Sequence, residues 1–374
     1  MTSNVKRTRR NWIKTNVALL AGTGAIPSLL AINSPRVPGA SNKESAKGRG
    51  MKLAMMLPAT PSPRWKVAKQ CGVNYAVTTV SPQRTGIAHA WELDTLALIQ
   101  KNLEEAGLKL AAIEGPGVPM NKIKLGLPGR DEEIEIFCAL IRNAGKLGIP
   151  TICYNFMAQI GWNRTAVDVR ERGGALTMEF NLEDAEKKGL TEAGVVSEER
   201  VWENFTYFIR RVVPVAEKAG VQLGLHPDDP PLSPLQGIGR IIRTAEAYRK
   251  AMQLAPSPMN GITFCQANFK LMGEDLEKLI REFSGRKKIF FVHFRDVRGT
   301  AKHFQETFHD NGPTDMAAML KLYHEVGFEG PIRPDHAPTM EGESNDDPGY
   351  AVMGKVFAFG YMKGIAYAYG IPME

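Results

Sequence analysis

VQLGLH (221–226), GITFC (261–265), IFFVHF (289–294) and PIRPDH (331–336) are four short apolar runs, and each ends on or next to a residue able to bind a metal. The residues are His226, Cys265, His293 and Asp335, separated by 39, 28 and 42 positions. Such steps are roughly one strand plus one helix long. Parallel strands joined by helices bring their carboxyl ends to one rim, where residues distant in sequence converge. Alone, a strand-end histidine is usually a hydrogen-bonded structural residue, and a cysteine a small buried hydrophobe. Four in succession instead point to one mononuclear site, and imidazole, thiolate and carboxylate donors together suit a borderline divalent metal such as Zn²⁺, Mn²⁺ or Fe²⁺. His89, His303, His309 and His324 fall in loop or helical contexts and are not included.

Working outward, four further runs precede these: MKLAMML (51–57), YAVTTV (75–80), LKLAAI (108–113) and TICYNF (151–156). Helical patterns lie between and after the eight runs, over 64–70, 91–106, 131–147, 199–219, 238–253, 274–283, 314–326 and 350–369. Eight strands alternating with eight helices predict an α/β protein, a (β/α)₈ TIM barrel. The runs are continuous rather than alternating, as expected of strands covered on both faces. Residues 157–197 fit neither pattern, so a rim insertion is expected after the fourth strand, as a lid or an oligomer contact.

At 374 residues, with 43% hydrophobic and 23% charged residues, the composition is that of a globular chain. The net charge of +7 is carried by the N-terminus: Lys6, Arg7, Arg9, Arg10, Lys14, Arg36 and Lys43 face no acidic residue within 1–43. The remainder is near neutral, so nucleic acid is not an expected partner. The basic region is followed by a small-residue apolar stretch over 17–32, too short and glycine-rich for a membrane span. Thr8-Arg9-Arg10-Asn11-Trp12-Ile13-Lys14 resembles a twin-arginine export motif. Residues 1–49 are therefore expected to be an export signal and linker, and 50–374 a single catalytic barrel in a periplasmic or exported protein with no membrane span after processing. Cys71, Cys138, Cys153 and Cys265 form no CxxC; Cys138 and Cys153 read as buried thiols.

HPDDPP (226–231), the strand ending at Cys265, VHFRD (292–296), RPDH (333–336), GYAVMGKVFAFGYMKG (349–364) and IKLGLPGRDEEIEIFCALIRNAGKLGIPTICYNFM (123–157) together resemble the mannonate dehydratase family. The resemblance implies a xylose-isomerase-like barrel, a Mn²⁺-type cofactor, and removal of water from D-mannonate to give 2-keto-3-deoxygluconate. It also implies His226, Cys265, His293 and Asp335 as the metal set, with His336 and Tyr350 transferring protons. Dehydrating a 2,3-dihydroxy acid removes a weakly acidic C2 proton and expels the C3 hydroxyl, which calls for charge stabilisation, a base and an acid. Tyr350 is assigned as base and His336 as acid, with the reverse left open. Arg295, Arg333 and Asn155 are candidates for the substrate, the arginines for its carboxylate. Asp228 and Asp229 are read either as a turn and cap or as partners orienting His226.

The chain departs from the family pattern at LPATPSPRW (57–65), at Gln266-Ala267-Asn268, at Phe304-Gln305-Glu306 and at Met120. These fall around the expected substrate pocket and leave the metal set intact. An isomerase or epimerase on the same barrel is one alternative, and a non-catalytic exported sugar-acid-binding protein is another. A homo-oligomer is expected.

Overall fold

The computed structural model describes residues 50–374. Eight parallel strands close into a barrel: β1 (Lys52–Met56), β2 (Tyr75–Thr78), β3 (Lys109–Glu114), β4 (Thr151–Tyr154), β7 (Gln222–Leu225), β8 (Asn260–Cys265), β9 (Ile289–Phe294) and β12 (Pro331–Pro334). The hydrogen-bonded order is β1-β12-β9-β8-β7-β4-β3-β2, with β1 and β2 also paired, so no barrel edge is left open. All eight expected strands are present. Their outward side chains join a helix-facing core that includes Phe137, Phe205, Phe208, Phe264 and Ile332. Inside the barrel the packing is finer, with Ala54, Val77, Ala111, Ala112, Cys153 and Phe291 in one cluster.

Local chemistry sets most helix ends. Ser62, followed by Pro63, opens Pro63–Gln70, and Ser197 opens Glu198–Ala219, each side-chain hydroxyl accepting a backbone N–H of the first turn. Gly220, at φ 68°, closes the second of these. Two expected boundaries are corrected. The helix anticipated over 238–253 is Ala245–Leu254, capped by Thr244 accepting from Ala247 N–H. Residues before it are held otherwise, because Ile238 exchanges backbone bonds with Leu235 and Ile242 N–H donates to Asp228 Oδ2. The helix anticipated from 274 is Leu276–Gly285, and its cap is Asp275, which accepts from Lys278 N–H at 3.0 Å.

The segment after β4 is folded rather than a bare loop. It supplies β5 (Ala166–Arg170) and β6 (Leu176–Asn181), which join a second hairpin, β10 (Val297–Thr300) and β11 (His303–Glu306), in an antiparallel sheet of order β10-β11-β6-β5. The insertion was expected; the hairpin after β9 was not, since VRGT and HFQE carry no apolar run. Phe180 and Phe304 stack at 5.7 Å in the small core beneath this rim sheet. Among the described residues no helix is long and apolar enough to cross a membrane. The export motif lies outside the described residues.

Candidate metal centre and active site

Register places the candidate ligands on one level. Cys265, the last residue of β8, pairs with His293 of β9, and His293 pairs in turn with Arg333 of β12. His226 follows β7, its N–H donating to Tyr154 O across to β4 at 2.7 Å. Ligand atoms of His226, Cys265 and His293 all lie within 4.8 Å of one another. His226 Nδ1 is 2.7 Å from Pro227 O, which fixes the ring and leaves Nε2 as the free nitrogen. Burial lowers its pKa, favouring the neutral form a metal requires.

His293 is buried at 1% exposure, and neither ring nitrogen makes a well-directed hydrogen bond, although Nε2 lies 3.3 Å from Glu114 Oε1 and Nδ1 3.6 Å from Asp335 Oδ2. Leaving a buried polar atom unpaired costs about 1–3 kcal/mol, so such a ring calls for a partner. Charge gives the same answer. In the buried ion-paired cluster the carboxylates of Glu114, Asp229, Glu306 and Asp335 meet the guanidiniums of Arg164, Arg295 and Arg333. One negative charge remains over within this ion-paired set, which favours a cation such as a divalent metal beside it. These residues fit such an ion.

Asp335, expected as the fourth ligand, stands outside this group of three. Its Oδ2 is 3.6 Å from His293 Nδ1 and 2.9 Å from Arg295 Nε, and its Oδ1 is 2.7 Å from Arg333 Nη1. Burial raises its carboxyl pKa, but Arg333 and the neighbouring cationic groups outweigh that and hold it well below the usual range. A second trio, Glu114, Cys153 and His293, shares the histidine, yet Glu114 is occupied by both Arg333 Nε and Nη2 at 3.0 and 2.6 Å.

Arg295 and Arg333, expected to bind the substrate carboxylate, lie against carboxylates of the protein itself. Both are essentially unexposed, and their forks are committed. Arg295 holds Glu306, Asp229 and Asn268 and lies against Asp335; Arg333 grips Glu114 bidentately and pairs with Asp335. Asp228 and Asp229 do not orient His226 either: Asp228 accepts from Ile242 N–H, and Asp229 accepts from Arg164 and Arg295. Asn268, in the short helix after Cys265, has Oδ1 3.5 Å from Cys265 Sγ and links this candidate ligand to Arg295.

A cavity of about 490 Å³ opens on this centre and is walled by His226, His293, Asp335, His336 and Tyr350 together with Asn155. Asn155 Oδ1 accepts from Lys124 Nζ at 3.0 Å and from Met157 N–H at 3.2 Å, so its amide nitrogen is the group left for a ligand. Burial lowers the Lys124 pKa to about 8. His336 and Tyr350 have ring centres 5.5 Å apart. Burial lowers the His336 pKa although Asp335 and Glu306 oppose it, whereas burial and then Asp335 raise the Tyr350 phenol. The pair therefore presents a neutral imidazole beside a protonated phenol.

Sequence reasoning missed the groups that surround these. Arg164 and Glu306 belong to the rim insertion and hairpin, and their partners are up to 142 positions away. Arg64 and Arg84 are on the cavity wall; Arg64 pairs with Asp347 at 2.9 Å, while the Arg84 guanidinium has no hydrogen bond or ion pair among the described residues. The one legible signal was in HFQE, where strand alternation puts Phe304 and Glu306 on one face.

Comparison with known proteins agrees with this geometry. The family model described as D-mannonate dehydratase (UxuA) matches residues 62–194 and 185–371. Mannonate dehydratase 2 of Halalkalibacterium halodurans is 34% identical over 307 residues, covering 75% of this chain and 88% of that protein. The mannonate dehydratase of Thermotoga petrophila is 34% identical over 314 residues, covering 75% and 86%. Among solved structures, mannonate dehydratase from Streptococcus suis serotype 2 superposes with a TM-score of 0.77 at 32% identity, covering 86% of this chain and 95% of that one. A D-psicose 3-epimerase from Clostridium cellulolyticum H10, at 12% identity and a TM-score of 0.54, shares the barrel fold. A metal-competent trio at the strand ends, a facing His–Tyr pair and family matches running through nearly the whole barrel lead to one assignment: the chain belongs to the D-mannonate dehydratase (UxuA) family.

Proposed function

We propose that the protein is a metal-dependent hydro-lyase that converts D-mannonate to 2-keto-3-deoxy-D-gluconate and water. The observation that carries this reading is a single cavity that brings His226 and His293, two of the three clustered candidate ligands, to the facing His336–Tyr350 pair. His226, Cys265 and His293 would hold the ion, with Asp335 beside His293. When bound, a divalent cation such as Mn²⁺ or Fe²⁺ supplies Lewis-acid stabilisation of negative charge on the substrate.

The chain's own groups then divide the proton work, in the reverse of the assignment first drawn from the sequence. His336, neutral at pH 7, takes the C2 proton through Nε2. The C2–H electron pair becomes the C2=C3 bond as the C3–O bond breaks, and Tyr350 gives its proton to the departing hydroxide, which leaves as water. The enol formed then ketonises to the 2-keto-3-deoxy acid. With Arg295 and Arg333 committed elsewhere, Arg84 is the free guanidinium that draws an anionic substrate to the cavity, and the Asn155 amide donates to its hydroxyls.

Incubating Mn²⁺-loaded protein with six-carbon and five-carbon aldonates and uronates tests this directly. D-mannonate should give a 2-keto-3-deoxy acid faster than the other substrates do. Epimerised sugar without loss of water, or tight binding without turnover, would replace the dehydratase reading.

A further inference from the structure

Glu306 lies on β11 of the rim sheet, outside the barrel, yet its carboxylate reaches the centre of the site at 2% exposure. Its Oε1 is 3.0 Å from His336 Nδ1. Two guanidiniums hold the same carboxylate in place: Arg164 through Nε at 3.2 Å, and Arg295 through Nη1 at 2.8 and 3.0 Å to the two oxygens. Asp229 in turn grips both arginines, at 2.7 Å from Arg164 Nη1 and 2.7 Å from Arg295 Nη2. A glutamate so clamped has one rotamer. Its oxygen beside Nδ1 obliges that nitrogen to carry the proton, because a carboxylate only accepts. The other nitrogen, Nε2, is 3.7 Å from Asp335 Oδ1, beyond hydrogen-bonding range, so its lone pair is left for the cavity.

We propose that Glu306 is a positioning residue for His336: the rim sheet supplies a clamped carboxylate that fixes the ring's orientation and tautomer, so that a fold insertion rather than the barrel sets the catalytic base. This rests on the reading of His336 as the proton acceptor. It also gives the insertion a function beyond covering the rim, since Arg164 and Glu306 both come from rim segments and meet only when the insertion and the β10–β11 hairpin are docked together.

A double-mutant cycle between Glu306→Gln and His336→Asn tests it. Glu306→Gln alone should lower kcat by about 10–100-fold, the usual cost of losing a group that orients a reacting one, with KM and bound metal near wild type. In the His336→Asn background the same change should alter the residual rate by less than about twofold, because the two act as one unit. Glu306→Asp, which keeps the charge beside Arg164 and Arg295 while withdrawing the oxygen from the ring, should hold metal normally and lose part of kcat. Equal losses from Glu306→Gln in both backgrounds would overturn the proposal while leaving His336 catalytic. So would wild-type kcat in Glu306→Gln or, where that variant fails to fold, in Glu306→Asp. Wild-type turnover in His336→Asn would instead remove the reading on which it rests.

Discussion

His336 and Tyr350 illustrate how burial assigns roles to two residues that sequence alone leaves interchangeable. Burial disfavours the charged form of each, so the imidazole stays neutral and the phenol stays protonated. Tyr350→Phe removes only the proton to be donated. It should retain metal and stability while kcat falls by about 100-fold or more, the scale of general acid catalysis; unchanged turnover would take Tyr350 out of the reaction. His309 makes the same physical point outside the chemistry. Its Nε2 lies 2.8 Å from Phe294 O, and burial lowers its pKa to about 4. Between about pH 6.5 and 4 the unfolded chain binds this proton and the folded chain does not, so stability falls as pH falls through that window, by about 3 kcal/mol at its lower end. Asp229, raised by burial but held at about 2 by Arg164 and Arg295, contributes only at lower pH, where unfolded aspartates protonate. Denaturant titrations of His309→Gln against wild type from pH 7 to 4 should show a shallower slope in the variant. Parallel curves would contradict this account.

Secondary-structure elements carry the site by their contacts as much as by their strand ends. The helix Val352–Tyr369 packs on the loop that bears His336, and Gly354 makes that approach possible, because a Cβ there would sit 2.2 Å from Pro338 O and 3.1 Å from Ala337 Cβ. Gly→Ala in an ordinary helix gains about 1 kcal/mol. Here overpacking against backbone, costing about 1–3 kcal/mol, should reverse the sign. Gly354→Ala is expected to melt at lower temperature and to lose activity through the displaced 337–350 segment, and a raised melting temperature would show the contact to be slack. At this scale the sequence was most legible where apolar runs were continuous, as in IFFVHF and GITFC, because a strand covered on both faces needs no polar alternation. It was least legible in VRGT and HFQE, short rim strands that pair with each other and of which HFQE alone pairs with β6, more than 120 positions away. Strand alternation set Arg295 and Arg333 among inward-facing residues, and there the structure surrounds them with carboxylates of the protein itself. Their carboxylate partners, Glu306, Asp229 and Glu114, come from other elements, and pairing across elements leaves no local trace.

For the molecule as a whole, the barrel and the rim sheet beside it together supply the groups of the candidate site. We propose that the motif spanning 8–14 directs twin-arginine export, a route that carries folded proteins and would allow metal loading in the cytoplasm. That order has a chemical rationale, since affinity at a Cys/His site rises from Mn²⁺ and Fe²⁺ towards Cu²⁺, and loading elsewhere favours the wrong ion. Arg9→Lys combined with Arg10→Lys should leave active, metal-loaded protein in the cytoplasmic fraction and none beyond the inner membrane. Normal export of that variant would reject the motif. The central claim is that His226, Cys265 and His293 hold the ion on which dehydration depends. Its most direct test is elemental analysis of chelator-stripped protein reloaded with Mn²⁺, for wild type, Cys265→Ala and His293→Ala, with 2-keto-3-deoxy acid formation from D-mannonate measured on the same samples. The account predicts one equivalent of metal and full activity in reloaded wild type, and neither metal nor product in either variant. A full equivalent of metal in both variants, or undiminished product from the stripped protein, would contradict it.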